Sequence, residues 1–352
     1  MELPNESTLY PKITNHITDI IKTLQHLNQN PENLEEEVHL EPISIVGMVK
    51  LHGTHADVLV YNDDSIVFQS RNIVHLQTSK DNQGFAKAMS SKTKTLLRLR
   101  NLYIARWTQL NPSATLDPTH PVLIAGEWIG SNIQKGVAIS QLSKRFVIVS
   151  VNINGKWVRD SDYIAITVPN QDIYNVSRGG RFRATLYPDD PQRTQTELEI
   201  MAEQVAARCP FAATFGVDGE GEGLVWKLAP AQYNANPALW FKTKGGKFKP
   251  TFAHPPKKQS ETEEEKRHVA AAAAEIWCSE QRLEQGWDIL REKSFEQGMR
   301  GLGEFLKWMQ RDILVEEKTY IVEHKVDEAM LRIEIAKIAK PWFMAQIASS
   351  RD

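Results

Sequence analysis

The chain has 352 residues, 41% hydrophobic and 24% charged, with a formal net charge of -2. These values fit a globular protein long enough for two domains. They exclude a polycation, so any nucleic-acid binding must come from local basic patches. Cys209 and Cys278 are the only two cysteines; their spacing excludes a disulfide framework and a cysteine zinc site and fits a reducing compartment. No long apolar run reads as a membrane span, and Met1 to Tyr10 lacks the apolar core of a secretion signal. The expected location is therefore intracellular, cytoplasmic or nuclear, with no membrane partner.

The first periodic segment predicts a helix over 13–27, with Ile13, Ile17, Ile20, Ile21 and Leu24 on one side. From Ile43 to Phe68 the apolar residues alternate, which reads as a β-meander with a turn at Asn62-Asp63-Asp64. A helix follows over 83–108, carrying Lys92, Lys94, Arg98, Arg100 and Arg106. Strands are expected at Val122–Trp128 and Arg145–Val151, and Asn154-Gly155 is a hairpin turn leading into Lys156-Trp157-Val158. Next come a helix over 194–208 and strands at Gly223–Lys227 and Leu239–Lys244. The composition changes around 247–260, where Pro250, Pro255 and Pro256 fall; from Lys242 to Lys258 there are six lysines and no acid. Ser260-Glu261-Thr262-Glu263 reads as a capping box. Beyond it, helices are expected over 261–292, 294–312 and 323–347, the last broken near Pro341. The fold class is thus α+β: an antiparallel-sheet domain over 1–252 and an all-helical domain over 253–352.

Five strings carry chemistry. Lys50-Leu51-His52-Gly53-Thr54 ends the first predicted strand; a lysine there can present an amine to a nucleotide α-phosphate, and Gly53 allows a sharp turn and close backbone approach. Arg71 offers a planar fork to a phosphate or ribose. Glu127, in Gly126-Glu127-Trp128-Ile129-Gly130, is a carboxylate inside an apolar run and can accept from ribose hydroxyls. Glu222, in Glu222-Gly223-Leu224-Val225-Trp226-Lys227, can hold a metal directly or through water. Lys227, Lys242 and Lys244 can grip a triphosphate and, as neighbouring cations, expose a free amine on Lys50. Gly219-Glu220-Gly221-Glu222-Gly223 lacks the Gly-Lys-Ser/Thr ending of a P-loop, and His52 with His55 lacks a third zinc ligand. Arg178, Arg181 and Arg183 around Gly179-Gly180 fit a phosphate loop or a solvated one.

These strings, in this order, resemble the covalent nucleotidyltransferases, the ATP-dependent ligases and mRNA-capping enzymes. Lys50-Leu51-His52-Gly53-Thr54, the Glu127 string with Ile133-Gln134-Lys135, and the ending Ile335 to Trp342 are most similar to the nick-sealing RNA ligase branch, which includes a phage enzyme and kinetoplastid editing ligases. The resemblance implies an ATP-grasp-like ligase adenylylation domain. It implies an RNA ligase (ATP) working in RNA repair: Lys50 takes AMP from ATP, AMP passes to an RNA 5′-phosphate, and a 3′-OH seals the strand. Nucleotide-binding positions would be Lys50, Leu51, His52, Gly53, Arg71, Glu127, Val149, Glu222, Lys227, Lys242 and Lys244. Mg²⁺ (or Mn²⁺) would sit at Glu222, the RNA would be met by Lys247, Lys249, Lys257, Lys258 and the basic helix near Arg98, and the protein would be a monomer. One departure is Val149-Ser150 where the family has Phe-Asp, so the stacking face for adenine is missing. A catalytically silent RNA-binding protein and a GTP-using capping-type enzyme are the alternatives; an all-helical ending argues against the latter, whose family places an OB-fold there.

Overall fold

In the computed structural model, residues 10–30, 38–71, 73–79, 81–249, 262–292 and 295–349 are described. They divide into two units, one ending at Phe248 and one beginning at Lys249.

The first unit runs α1 (Ile17–Asn28), β1 (Ile43–Lys50), β2 (Thr54–Val60), β3 (Ile66–Ser70), α2 (Phe85–Ser90), α3 (Thr93–Leu110), β4 (Val122–Ile129), β5 (Arg145–Ile153), β6 (Lys156–Trp157), β7 (Ile173–Asn175), β8 (Phe182–Leu186), α4 (Pro191–Ala207), α5 (Pro210–Ala213), β9 (Gly223–Leu228), α6 (Ala231–Asn234) and β10 (Phe241–Lys244). The strands form two sheets, β10-β9-β1-β8 and β3-β2-β4-β5-β6, with β7 beside β5. The expected meander is therefore cut. Strand β1 pairs with β8 and β9 in one sheet, and only β2 and β3 make a hairpin in the other. Residues 51–53 carry the chain from sheet to sheet. Alternation reports which face of a strand is buried, not which strand pairs with it.

The first sheet buries Ile45, Val49, Leu224, Trp226, Leu228 and Phe241 with the apolar sides of α1 and α4. Pro191 at the first turn and the Asp190 side chain, which accepts from Arg193 N, start α4. The second sheet buries Val58, Ile124, Phe146 and Ile148 against Phe85, Leu96, Leu99 and Tyr103 of α2 and α3. The remaining faces hold the polar residues discussed below. Ile13 lies outside α1, and the expected helix over 83–108 is broken between α2 and α3 at Ser91-Lys92. Asn154 and Gly155, both at positive φ (57° and 75°), turn β5 into β6.

The second unit is helical, as expected: α7 (Glu263–Trp277), α8 (Glu280–Glu292), α9 (Leu302–Glu316), α10 (Lys318–Glu323) and α11 (Glu328–Ser349). The capping box is Thr262 with Glu265, two residues beyond the predicted one; Ser260 and Glu261 lie outside the described residues, as do Lys257 and Lys258. The single helix expected over 261–292 is two, parted at Cys278-Ser279. Pro341 does not break α11: Ile335, Ala339, Phe343 and Ile347 on both sides of it are buried in one core with α7 and α9, and that packing outweighs a proline cost of about 3 kcal/mol. Arg282, partly buried, pairs with Asp312, Glu316 and Glu317.

Candidate active site

Lys50 ends β1 directly opposite Gly223, so the first residue of β9 and the carboxylate before it lie beside the amine. Lys50 Nζ donates to Glu222 Oε2 at 2.7 Å. Lys244 Nζ reaches Glu222 Oε1 at 3.3 Å, and His52 Nδ1 lies 3.4 Å from Oε2. Glu222 is 2% exposed. Burial works to raise its pKa, but Lys50, Lys244 and His52 overcome this and hold it well below the usual carboxylate range. The expected ring of lysines around Lys50 is thus a lysine pair bridged by one carboxylate.

Gly53 couples this group to the second sheet. Its N–H donates to Glu127 Oε1 at 3.0 Å. A Cβ at Gly53 would stand 2.5 Å from the Trp128 carbonyl oxygen and 2.9 Å from Glu127 Cγ, so only glycine lets the chain pass this closely. Burial raises the Glu127 pKa, opposed by Lys50 and His55 and reinforced by Glu222. Beside it, His55 Nε2 meets the fully buried Asp57 at 2.9 Å.

Lys227 forms a second cluster. It lies four residues along β9 from Gly223, about 13 Å by strand rise, and does not join Lys50. Its Nζ sits 2.5 Å from Asp160 Oδ2, donates to Ser150 Oγ at 2.9 Å and lies 3.6 Å from the centroid of the Trp240 ring. Ser150 Oγ in turn donates to Asp160 Oδ1 at 2.8 Å. Lys227 is 6% exposed; burial lowers its pKa, opposed by Asp160. This bears on the Val149-Ser150 departure. The β4–β5 register jumps from Ala125↔Ser150 to Gly126↔Ile148, leaving Val149 as the extra residue of a bulge. Ser150 Oγ thus links Lys227 to a carboxylate ten residues on, across the hairpin. Val149 is partly buried against the cluster that holds Tyr10, Leu123 and Trp240.

The other predicted residues are placed as follows. Leu51 has its side chain in the core, so only its backbone can meet a ligand. Arg71 donates to the Tyr10 carbonyl at 3.2 Å. Lys242 shares a strand face with Lys244. Lys247 is paired with Glu220 at 2.9 Å and also donates to the Gly136 carbonyl; Lys249 is exposed. The basic helix α3 is less available than expected: Arg100 is buried on Asp64 and the Tyr61 carbonyl and Arg106 donates to the Asp162 carbonyl, while Lys92, just before α3, donates to that of Gln171. Lys94 and Arg98 of α3 are exposed.

Tyr10 and Asp160 were not singled out by sequence. The Tyr10 ring lies 5.3 Å from His55, 5.4 Å from Trp157 and 5.9 Å from Trp240, and burial, then Asp160, pushes its phenol pKa up. Neither belongs to a string with recognisable spacing. Asp160 was reachable, because the 154–155 turn folds it back toward Ser150.

No group of three or more His, Cys, Asp or Glu side chains is placed to hold a metal among the described residues. Glu222, the carboxylate expected to hold the metal, has both oxygens on cationic side chains, Oε2 on Lys50 and Oε1 on Lys244; a divalent cation would reach it through water or in place of one of these amines. Among the described residues no helix is long and apolar enough to cross a membrane.

Among solved structures, the chain is similar to a Naegleria gruberi RNA ligase mutant with ATP and Mn (16% identity, TM-score 0.41, covering 70% of this chain and 59% of that one). It is also similar to another mutant of that ligase with ATP and Mn (17%, TM-score 0.41, 69% and 59%) and to the ligase with PPi (16%, TM-score 0.40, 69% and 58%). The chain thus spans under two thirds of these proteins' length. No protein-family model matches it, and no curated protein is significantly similar in sequence.

Proposed function

We propose that the chain is an ATP-dependent RNA ligase that joins a 5′-phosphate to a 3′-OH in RNA repair. The observation that supports this is the Lys50 amine, three-quarters buried at the junction of two sheets and aimed by a carboxylate whose second oxygen holds Lys244. A structural ion pair would not need two lysines and a histidine on one buried acid.

In this reading Lys50 loses its proton to solvent and attacks the α-phosphorus of ATP. A P–N bond forms, the bond to the β-phosphate breaks, and pyrophosphate leaves. Lys244 and Lys242, on one face of β10, offset the negative charge gathering on the phosphates. A divalent cation at Glu222, Mg²⁺ or Mn²⁺, would add positive charge to the leaving phosphates. Glu127, held at the Gly53 N–H, keeps its other oxygen for a ribose hydroxyl. Arg71, held at the Tyr10 carbonyl, would offer its remaining guanidinium N–H groups to a phosphate or ribose. AMP then passes from Lys50 to the RNA 5′-phosphate, and attack by the 3′-OH releases it.

The test is strand joining: a 5′-phosphate RNA and a 3′-OH RNA, with ATP and Mg²⁺, run beside GTP. The expected result is a joined product with ATP that is lost in Lys50→Ala and regained when the 5′ end is supplied already adenylylated. Joining with GTP alone would mark a capping-type nucleotide choice, and no joining with any nucleotide would reject the reading.

A further inference from the structure

We infer that Arg183, on the edge strand β8, contacts the phosphate backbone of the bound RNA strand and extends the cationic track that starts at Lys50. The inference takes the ligand from the reading above; the residue assignment comes from strand register.

Residues directly opposite in an antiparallel pair share a face. Val46 lies between Arg183 on β8 and Lys227 on β9; Lys50 faces Gly223, and Val225 faces Lys242. By two-residue alternation, Lys50, Lys227, Lys242, Lys244 and Arg183 therefore share one face of the first sheet, and none of its strands places an acid there. The other face is closed by α1 and α4. Lys50 and Lys244 share Glu222, and Lys227 is committed to Asp160. Arg183 differs: it is exposed, and no ion pair engages it among the described residues. Neighbouring Arg178 is engaged, by Thr214 and the ring of Phe215.

Position selects the ligand. Arg183 stands four residues along β1 and one strand over from Lys50, about 14 Å between Cα atoms. A nucleotide reacting at Lys50 keeps its phosphates near Lys244 and Lys242, at the opposite edge of the sheet. A cation at the β8 edge suits a chain of phosphates running away from the reacting end. Such contacts position a strand without reading its sequence.

The experiment measures binding of the full chain to a 5′-phosphorylated single-stranded RNA oligonucleotide by anisotropy over a salt series. Each phosphate contact on a single strand adds about 0.7 to the slope of log affinity against log salt. Arg183→Ala is expected to lower the slope by about 0.7 and weaken binding several-fold whatever the RNA sequence, Arg183→Glu to weaken it further, and Arg183→Lys to keep most of both. Arg193→Ala, the same charge change on α4 behind the sheet, is the control and leaves the slope alone. Protein–AMP formation is read in parallel. Failure of the wild type to form the adduct, with Arg183→Ala still lowering the slope, would sink the ligase reading and spare this one. A normal adduct with Arg183→Ala and Arg193→Ala indistinguishable in RNA binding would overturn Arg183 alone, as would a raised ATP requirement with RNA binding unchanged.

Discussion

Asp160→Asn isolates the buried pair behind Val149-Ser150. Lys227 and Asp160 side chains are 8% and 13% exposed and their charged atoms 2.5 Å apart, so solvent screens them little. Their attraction at an effective dielectric of about 20 is roughly 6–7 kcal/mol, most of it offset by desolvation. Removing one partner of such a pair costs about 3–5 kcal/mol, because the other stays buried and uncompensated. The Trp240 face beneath Lys227 contributes only about 1–2 kcal/mol and survives the substitution. Urea unfolding followed by tryptophan fluorescence should put Asp160→Asn about 3–5 kcal/mol below the wild type. Lys227→Met with Asp160→Asn should cost less than the sum of the single changes by about 2 kcal/mol. Burial already lowers the Lys227 pKa against the pull of Asp160, and losing Asp160 lowers it further. The unfolded chain then binds the proton more tightly than the folded one, so the Asp160→Asn deficit shrinks as pH rises toward the ordinary lysine value of 10.5. A cost under about 1 kcal/mol, or additivity of the two substitutions, would refute the assignment of this cluster as a coupled buried pair.

Glu127→Gln keeps an oxygen for the Gly53 N–H but removes a carboxylate whose folded-state pKa is raised. Its variant should be at least as stable as the wild type at neutral pH, with the advantage vanishing as pH falls below about the ordinary value of 4.5; thermal midpoints across pH check this. Gly53→Ala must push a Cβ against the Trp128 carbonyl, so it should destabilise by at least about 1–3 kcal/mol in urea unfolding. Arg282→Met leaves Asp312, Glu316 and Glu317 facing one another within the second unit, and should cost about 3–5 kcal/mol; helical signal on heating is the measurement.

Much of this was legible in the residues. The strands expected at Gly223–Lys227 and Leu239–Lys244 are present as β9 and, two residues shorter at its start, β10, and the helical second unit followed from composition. Glu127 stood out because a carboxylate inside an apolar run has few structural uses, and Lys50, Glu222 and Lys244 because their strings follow one another in the order the chemistry needs. What was not legible depended on pairing. Ile43–Lys50 and Thr54–Val60 alternate alike, and nothing local says that the three residues between them cross from one sheet to another. The separation of Lys227 from Lys50 is likewise a matter of register, as is the bulge at Val149 that turns Ser150 toward Asp160. Arg100 and Arg106 looked like a solvated basic face because their partners, Asp64 and the Asp162 carbonyl, are distant in sequence. Pro341 looked like a helix end because tertiary burial on both sides of it leaves no local mark.

The most direct measurement is intact mass of the protein after incubation with ATP and a divalent cation, followed by peptide mapping. The account predicts the gain of one AMP, carried by Lys50 through an acid-labile P–N bond and abolished in Lys50→Ala. No gain in the wild type, or AMP mapped to a different side chain, would contradict it.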